Sequence, residues 1–146
     1  METSKIGIDL IKFFEGFKSK PYLCPAKIPT IGYGSTFYKN GKKVTLKDKP
    51  INEEEAEDLL KLILKSFELI VLKKIKVPLK QNQFDALVSH TYNTGGSDTL
   101  FYLVNSKAKD VEIKKWFETK YITGGGKVLN GLVARRKAES KLYFTK

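Results

Sequence analysis

One segment in the middle of the chain carries an unusually complete set of helix signals, and it constrains the fold more than any other feature. Asn52 is a good N-cap residue, Glu55 stands three positions later as its capping-box partner, and Ile51 can pack onto Ala56. Apolar residues then recur at helical spacing: Ala56, Leu59, Leu60, Ile63, Leu64, Phe67, Ile70 and Val71. The pattern predicts a helix over about 52–74, long enough to join two lobes.

The segments on either side of this helix differ in character. Residues 4–15 have the period of an amphipathic helix that ends at Gly16, whereas 30–35 have strand composition and Asn40-Gly41 predicts a hairpin turn. Further helices are predicted from Pro78 and over about 98–105, 110–120 and 131–143, the last after a flexible break at 124–126. Together these elements predict an α+β fold with one small antiparallel sheet near the N-terminus.

The charge is strongly positive. Lys and Arg number 27 against 16 Asp and Glu, which gives a net charge of +11. Such a surface attracts polyanions, namely nucleic acid, an anionic membrane or an acidic cell-wall polymer, although a merely solvated surface is an equally good reading. Charge alone does not choose among these.

Composition excludes several classes. A single cysteine, Cys24, rules out an intramolecular disulfide and a cysteine-based zinc site, and Ser-His-Asp chemistry would have to use His90, the one histidine. No apolar run approaches the roughly 20 residues of a membrane span, and the N-terminal residues lack a secretory signal pattern. We therefore expect synthesis in the cytoplasm and no stable membrane insertion.

Glu15 stands apart because it is the acid in Phe13-Phe14-Glu15-Gly16-Phe17. Desolvation by aromatic neighbours disfavours the charged form of a carboxyl group, which suits a general acid. A surface glutamate on an amphipathic helix is the ordinary alternative.

The residues after Glu15 complete a pattern. Eight residues separate Glu15 from Cys24, and five separate Cys24 from Thr30, which opens Thr30-Ile31-Gly32-Tyr33-Gly34. This resembles the phage-type lysozymes, the endolysins of glycoside hydrolase family 24, whose pattern is Glu, eight residues, Asp or Cys, five residues, Thr, and a Gly-Tyr-Gly segment. Residues 83–89, 92–95 and 125–139 are similar to further segments of that family, in the same order along the chain.

The resemblance implies a lysozyme-like fold. It comprises a sheet lobe over about 16–50, the connecting helix over about 52–74, and a helical lobe over about 78–146 plus 1–15, with a cleft between the lobes. It also implies a muramidase that cleaves the β-1,4 bond between N-acetylmuramic acid and N-acetylglucosamine in peptidoglycan and that needs no metal or cofactor. Glu15 would be the general acid and Thr30 would position the attacking water, with inversion at the anomeric carbon.

Cys24 occupies the position where most members of the family have aspartate. A free thiol has a pKa of about 8.5 and is mainly neutral at pH 7, although a cation such as Lys20 or Lys27 would lower that pKa. Three roles are open: a thiolate base or electrostatic stabiliser, which we favour, a nucleophile, or a bystander in a weakened site. A buried cysteine that acts as a small hydrophobe is the structural alternative.

The substrate contacts that the resemblance implies are Gly32, Tyr33, Tyr92 and Asn93. A glycine admits a sugar ring close to the backbone, while Tyr92 and Asn93 can equally be a helix end packed on the core. His90 is expected to be a packing or surface residue. Arg135 and Arg136 are expected on a solvated helix face, with a reach back toward Glu15 as the alternative.

The expected partner is the glycan strand of peptidoglycan, bound by a monomer that reaches the cell wall or periplasm through a membrane lesion or lysis. Nucleic acid is not an expected partner, since only the charge suggests it and no recognition helix or motif accompanies that charge. The main alternative is a wall-binding module that has lost turnover through the cysteine at position 24.

Overall fold

The computed structural model describes all 146 residues, as six helices and two two-stranded antiparallel sheets. In chain order the elements are α1 Lys5–Glu15, β1 Lys18–Leu23, β2 Pro29–Gly32, α2 Glu53–Lys74, α3 Gln81–Thr94, α4 Asp98–Asn105, α5 Asp110–Thr119, β3 Thr123–Gly124, β4 Lys127–Val128 and α6 Asn130–Tyr143. The α+β class predicted from the sequence is confirmed. None of the helices combines the length and apolar character needed to cross a membrane.

The long helix α2 begins as its sequence predicts. The Asn52 Oδ1 accepts a hydrogen bond from the Glu55 N–H at 2.8 Å, and the Glu55 Oε1 accepts one from the Asn52 N–H at 3.4 Å. Acids fill the first turn and two lysines the last turn, which matches the partial charges at the helix ends. These local interactions set where the helix begins.

By their contacts the residues form two compact units, 11–66 and 1–10 with 67–146. The first unit holds β1, β2 and the first part of α2. Its core consists of Ile31, Val44 and Leu59, against which Tyr38 and Ile51 pack. The hairpin signal at 40–41 is confirmed as a tight turn closed by a hydrogen bond from the Gly41 N–H to the Tyr38 carbonyl oxygen at 2.9 Å.

In the second unit α3 and α5 pack against α6, and α4 packs against α5. The buried apolar side chains of these helices are Phe84, Ala86, Leu87, Val88, Leu100, Phe101, Val104, Ile113, Phe117 and Tyr143. The N-terminal residues are fixed to the unit because the Thr3 N–H and hydroxyl both donate to the Glu68 carboxylate, at 2.7 and 2.6 Å.

The glycine run at 124–126 is not a flexible break, so that expectation is wrong. The chain forms a second small hairpin there, in which Thr123 pairs with Val128 and Gly124 with Lys127. Gly125 and Gly126 form its turn with φ of +58° and +78°, a region that glycine enters without steric cost. The glycines therefore allow a specific turn ahead of α6.

Candidate active site

Glu15 is the last residue of α1, at the point where the chain turns into β1. The turn is made by Gly16, whose φ is +75° and whose N–H donates to the Lys12 carbonyl oxygen at 2.9 Å. The Glu15 side chain is partly buried. Phe13, however, is 79% exposed. The expected enclosure of the acid by three phenylalanines is therefore wrong for Phe13, because residues two apart on a helix point in different directions.

The β1–β2 hairpin carries the other two residues of the predicted triad. Cys24 directly follows β1, and its N–H donates to the Ile28 carbonyl oxygen at 3.1 Å. The loop between the strands is tight, since the Lys27 N–H donates to the Cys24 carbonyl oxygen at 2.8 Å. Lys27 adopts a φ of +61° to make this turn. Thr30 follows within β2 and is buried.

The sulfur of Cys24 lies among hydrogen-bond donors. The backbone N–H of Ile28 is the largest influence that lowers the pKa of the thiol below its ordinary value, and the N–H of Ala26 and the side chain of Thr30 add to it. Partial desolvation opposes the shift. The sequence pointed to nearby lysines as the cause, whereas the structure supplies fixed backbone dipoles, as at other anion-binding turns. The structure therefore brings Cys24 and Thr30 together.

The Thr30 hydroxyl has two acceptors within reach. It donates to the Ile28 carbonyl oxygen at 2.8 Å, and it also interacts with the Cys24 sulfur. A hydroxyl has one proton to donate and two lone pairs with which to accept. Thr30 can therefore donate to a thiolate at Cys24, or donate to the backbone and keep its lone pairs for a water molecule.

Tyr22 is a residue of this site that the sequence pattern does not single out. It pairs directly with Thr30 across the two strands. Its pKa is raised, first by burial and then by the negative charges of Glu15 and Cys24. Glu15 and Cys24 therefore both lie within electrostatic range of the Tyr22 phenol. The signal available in the sequence was the alternation of Tyr22 and Cys24 along a strand, which places both on one face.

Gly32 and Tyr33 lie in the same unit and are both buried. Gly32 has a φ of +69°, and a Cβ atom there would lie 3.1 Å from the Cβ of Ala56 on α2. The Tyr33 ring packs 5.7 Å from the ring of Phe17 and under the Lys12 ammonium at 5.4 Å. Packing thus explains the glycine at position 32, and sugar contacts at Gly32 and Tyr33 stay predictions.

Tyr92 and Asn93 lie near the end of α3, in the other unit. The Tyr92 ring meets the ring of Phe67 edge-on at 5.2 Å. Asn93 is exposed, and its Oδ1 accepts a hydrogen bond from the Nη2 of Arg136 at 2.8 Å. Substrate contacts by these two residues also stay predictions.

Arg135 and Arg136 are not on a solvated face, so that expectation is wrong. Their relative exposures are 3% and 0%, and both guanidiniums pair with Glu139, at 3.3 and 2.9 Å. The Ser89 hydroxyl donates to the same carboxylate at 2.5 Å. Burial raises the pKa of the Glu139 carboxyl, and the two cations oppose that shift. Charged residues at i, i+1 and i+4 of one helix thus form a buried cluster rather than a surface stripe.

His90 is a packing residue. Its ring meets those of Phe117 and Tyr121 edge-on at 5.5 and 5.4 Å. Burial, with the nearby arginine charges, lowers the pKa of His90 to about 3. The imidazole is therefore neutral at physiological pH and does not serve as a cationic proton donor there. No three His, Cys, Asp or Glu side chains are grouped as metal ligands would be.

An acid at the end of the first helix, beside a hairpin that carries an ionisable side chain and a threonine, defines a lysozyme-like protein of the phage type. The family model for phage lysozyme matches residues 12–139, and the chain belongs to that family.

Several phage proteins are similar to the chain over nearly its whole length. The endolysin of Bacillus phage B103 is 42% identical over 155 residues, which cover 99% of this chain and 55% of that protein. An endolysin of Acyrthosiphon pisum secondary endosymbiont phage 1 is 35% identical, with 98% of each chain covered. The solved endolysin of Escherichia coli O157:H7 phage FAHEc1 superposes with a TM-score of 0.85 at 38% identity, covering 99% of this chain and 94% of that one. The chain thus spans about half the length of the Bacillus phage relative.

Proposed function

We propose that this chain is an endo-acting muramidase that hydrolyses the β-1,4 bond between N-acetylmuramic acid and N-acetylglucosamine in bacterial peptidoglycan. Membership of the phage lysozyme family supports the reaction class. The observation that carries the proposal is that Glu15 and Cys24 both act electrostatically on the Tyr22 phenol and raise its pKa. Two ionisable groups around one point are what glycoside hydrolysis requires.

In this proposal Glu15 gives its proton to the glycosidic oxygen as the bond to the anomeric carbon breaks. A water molecule held by Thr30 attacks that carbon from the opposite face, and the Cys24 thiolate takes the proton that the water loses. The backbone donors that lower the pKa of Cys24 support this role, because they increase the thiolate fraction at neutral pH. Attack by water without a covalent intermediate inverts the anomeric centre, and inverting enzymes hold their two groups about 6.5–9.5 Å apart.

The rest of the proposal concerns substrate binding and location. Gly32, Tyr33, Tyr92 and Asn93 contact the sugar chain. The chain acts as a monomer on the cell wall, which it reaches through a membrane lesion or lysis. Its net charge of +11 increases the encounter rate with acidic wall polymers.

The test is the release of reducing ends from purified peptidoglycan by the wild type and by Glu15→Gln. Chromatography of the wild-type digest should give muropeptides that end in N-acetylmuramic acid. The variant should lose about 100-fold or more of the rate, as expected when a general acid is removed. A wild type that binds peptidoglycan but releases no reducing ends would instead be a wall-binding module. Equal rates for both proteins would refute Glu15 as the acid.

The stereochemistry separates the roles of Cys24. Proton NMR of the first product should show the inverted anomer, since water attacks directly. If the retained anomer appears first, Cys24 acts as a nucleophile through a thioglycosyl intermediate and the proposed base mechanism is wrong.

A further inference from the structure

We propose that Tyr22 is a further substrate-binding residue of this site, with its phenol hydroxyl hydrogen-bonding the sugar held between Glu15 and Cys24. The inference rests on the function proposed above. It adds a fourth polar side chain to the triad of Glu15, Cys24 and Thr30.

The first argument is the position of Tyr22 in the sheet. Tyr22 and Thr30 are direct partners in the antiparallel pair of β1 and β2. Directly opposed residues have their side chains on the same face of the sheet, about 5 Å apart at the Cβ atoms. Cys24 directly follows β1, and its sulfur interacts with the side chain of Thr30, the strand partner of Tyr22. The phenol therefore stands beside the two residues proposed to position and activate water.

The second argument is electrostatic. The charges of Glu15 and Cys24 both act on the Tyr22 phenol and, together with burial, raise its pKa. A phenol whose pKa is already about 10 in water then keeps its proton over the whole range in which a wall hydrolase works. Tyr22 thus offers a neutral group, able both to donate and to accept, near Glu15 and Cys24.

The third argument is that the Tyr22 hydroxyl makes no hydrogen bond to the protein, while its ring is partly buried. Tyr38, in the same unit, shows the contrast, because its hydroxyl donates to the Asp48 carboxylate at 2.7 Å. A partly buried phenol without a protein partner is suited to bind a ligand atom. The hydroxyl-rich and amide-rich edge of an amino sugar supplies such atoms.

The test is Tyr22→Phe, which removes one oxygen and keeps the ring. Tyr38→Phe is the matched control, since it removes a phenol oxygen elsewhere in the unit. With a soluble, peptide-free oligomer of alternating N-acetylglucosamine and N-acetylmuramic acid, Tyr22→Phe should lower kcat/KM about 2- to 10-fold, the effect of one neutral hydrogen bond. It should leave Tm unchanged. Tyr38→Phe should lower Tm, since it loses an internal hydrogen bond, and leave kcat/KM unchanged.

Binding gives a readout that a structural role would not move. The single variant Glu15→Gln should bind the oligomer without hydrolysing it. Adding Tyr22→Phe to this variant should raise the Kd of the oligomer about 2- to 10-fold. If kcat/KM and Kd both stay at the values of the parent proteins, the Tyr22 inference is wrong while the muramidase proposal stands. If the wild type does not hydrolyse the oligomer or peptidoglycan at all, the proposed function itself fails. The Kd comparison then still decides whether Tyr22 binds the glycan.

Discussion

Replacing Cys24 by aspartate tests whether an anion is what the site needs at this position. An ordinary thiol with a pKa of about 8.5 is roughly 3% ionised at pH 7, whereas a carboxyl with a pKa of about 3.9 is almost fully ionised. The donors from Ile28, Ala26 and Thr30 lower the pKa of Cys24, so its ionised fraction exceeds the fraction of an ordinary thiol. The ionised fraction, and with it the rate, should therefore rise on Cys24→Asp by a factor between one and about 30 at pH 7.

The pH dependence of that ratio is the sharper measurement. Below the pKa of the thiol, the thiolate fraction falls tenfold for each pH unit, while aspartate stays ionised down to about pH 5. The rate of Cys24→Asp divided by that of the wild type should therefore rise as the pH falls. It should level off above the pKa of Cys24.

The assay is the initial rate of reducing-end release from purified peptidoglycan between pH 5 and 8 at constant ionic strength. Cys24→Ala gives the rate without any ionisable group at the position and should be far slower than the wild type. A ratio that is flat over the whole pH range would refute the thiolate base. So would an alanine variant as active as the wild type.

Three further changes test buried residues of the two units. Glu139→Gln should lower the free energy of unfolding by about 3–5 kcal/mol in a urea titration, since it leaves two buried guanidiniums without their anion; a change below about 1 kcal/mol would mean that the cluster is hydrated. His90, with a pKa of about 3 when folded, binds a proton in the unfolded chain at pH values where the folded chain does not. The free energy of unfolding should therefore fall by up to about 1.4 kcal/mol per pH unit as the pH drops from about 6.5 toward 3. His90→Phe should remove this contribution to the pH dependence of stability. An identical slope in both proteins would place the histidine in solvent. Gly32→Ala should cost at least about 1–2 kcal/mol in a thermal melt, because of the positive φ and the close approach of α2; a neutral result would show that the turn can relax.

Much of the local structure could be predicted from neighbouring residues. The capping box at Asn52, the turn at 40–41 and the last helix are fixed by interactions between residues a few positions apart, and the structure confirms each of them. The glycine run at 124–126 shows the limit of such local signals. Glycine composition fits both a flexible link and a tight turn, and only the pairing of the flanking strands decides between them.

Part of the candidate site could also be predicted from the sequence. The order of Glu15, Cys24 and Thr30 along the chain is a sequence property, whereas the β1–β2 hairpin that brings Cys24 and Thr30 together is seen only in the structure. Tyr22 does not stand out in the sequence, because strand alternation assigns a face without saying what lies there. The sequence offers only cations such as Lys20 or Lys27 as groups able to lower the pKa of Cys24, whereas the main cause is the backbone N–H of Ile28, whose direction no side-chain identity reveals.

The order of amino acids sets the chemistry available to this chain: which residue types stand at which spacing, where helices begin, and that a cysteine stands at position 24. Which charged residues are buried depends on how the helices pack. Arg136 reaches Asn93 across 43 positions, and Ser89 reaches Glu139 across 50. Taken alone, the charged sequence of α6 around Arg136 is typical of a solvent-exposed helix face. Its burial depends on the surface of α3 that packs against it, because desolvation and hydrogen bonding are set by all surrounding elements and not by the segment that carries the charge.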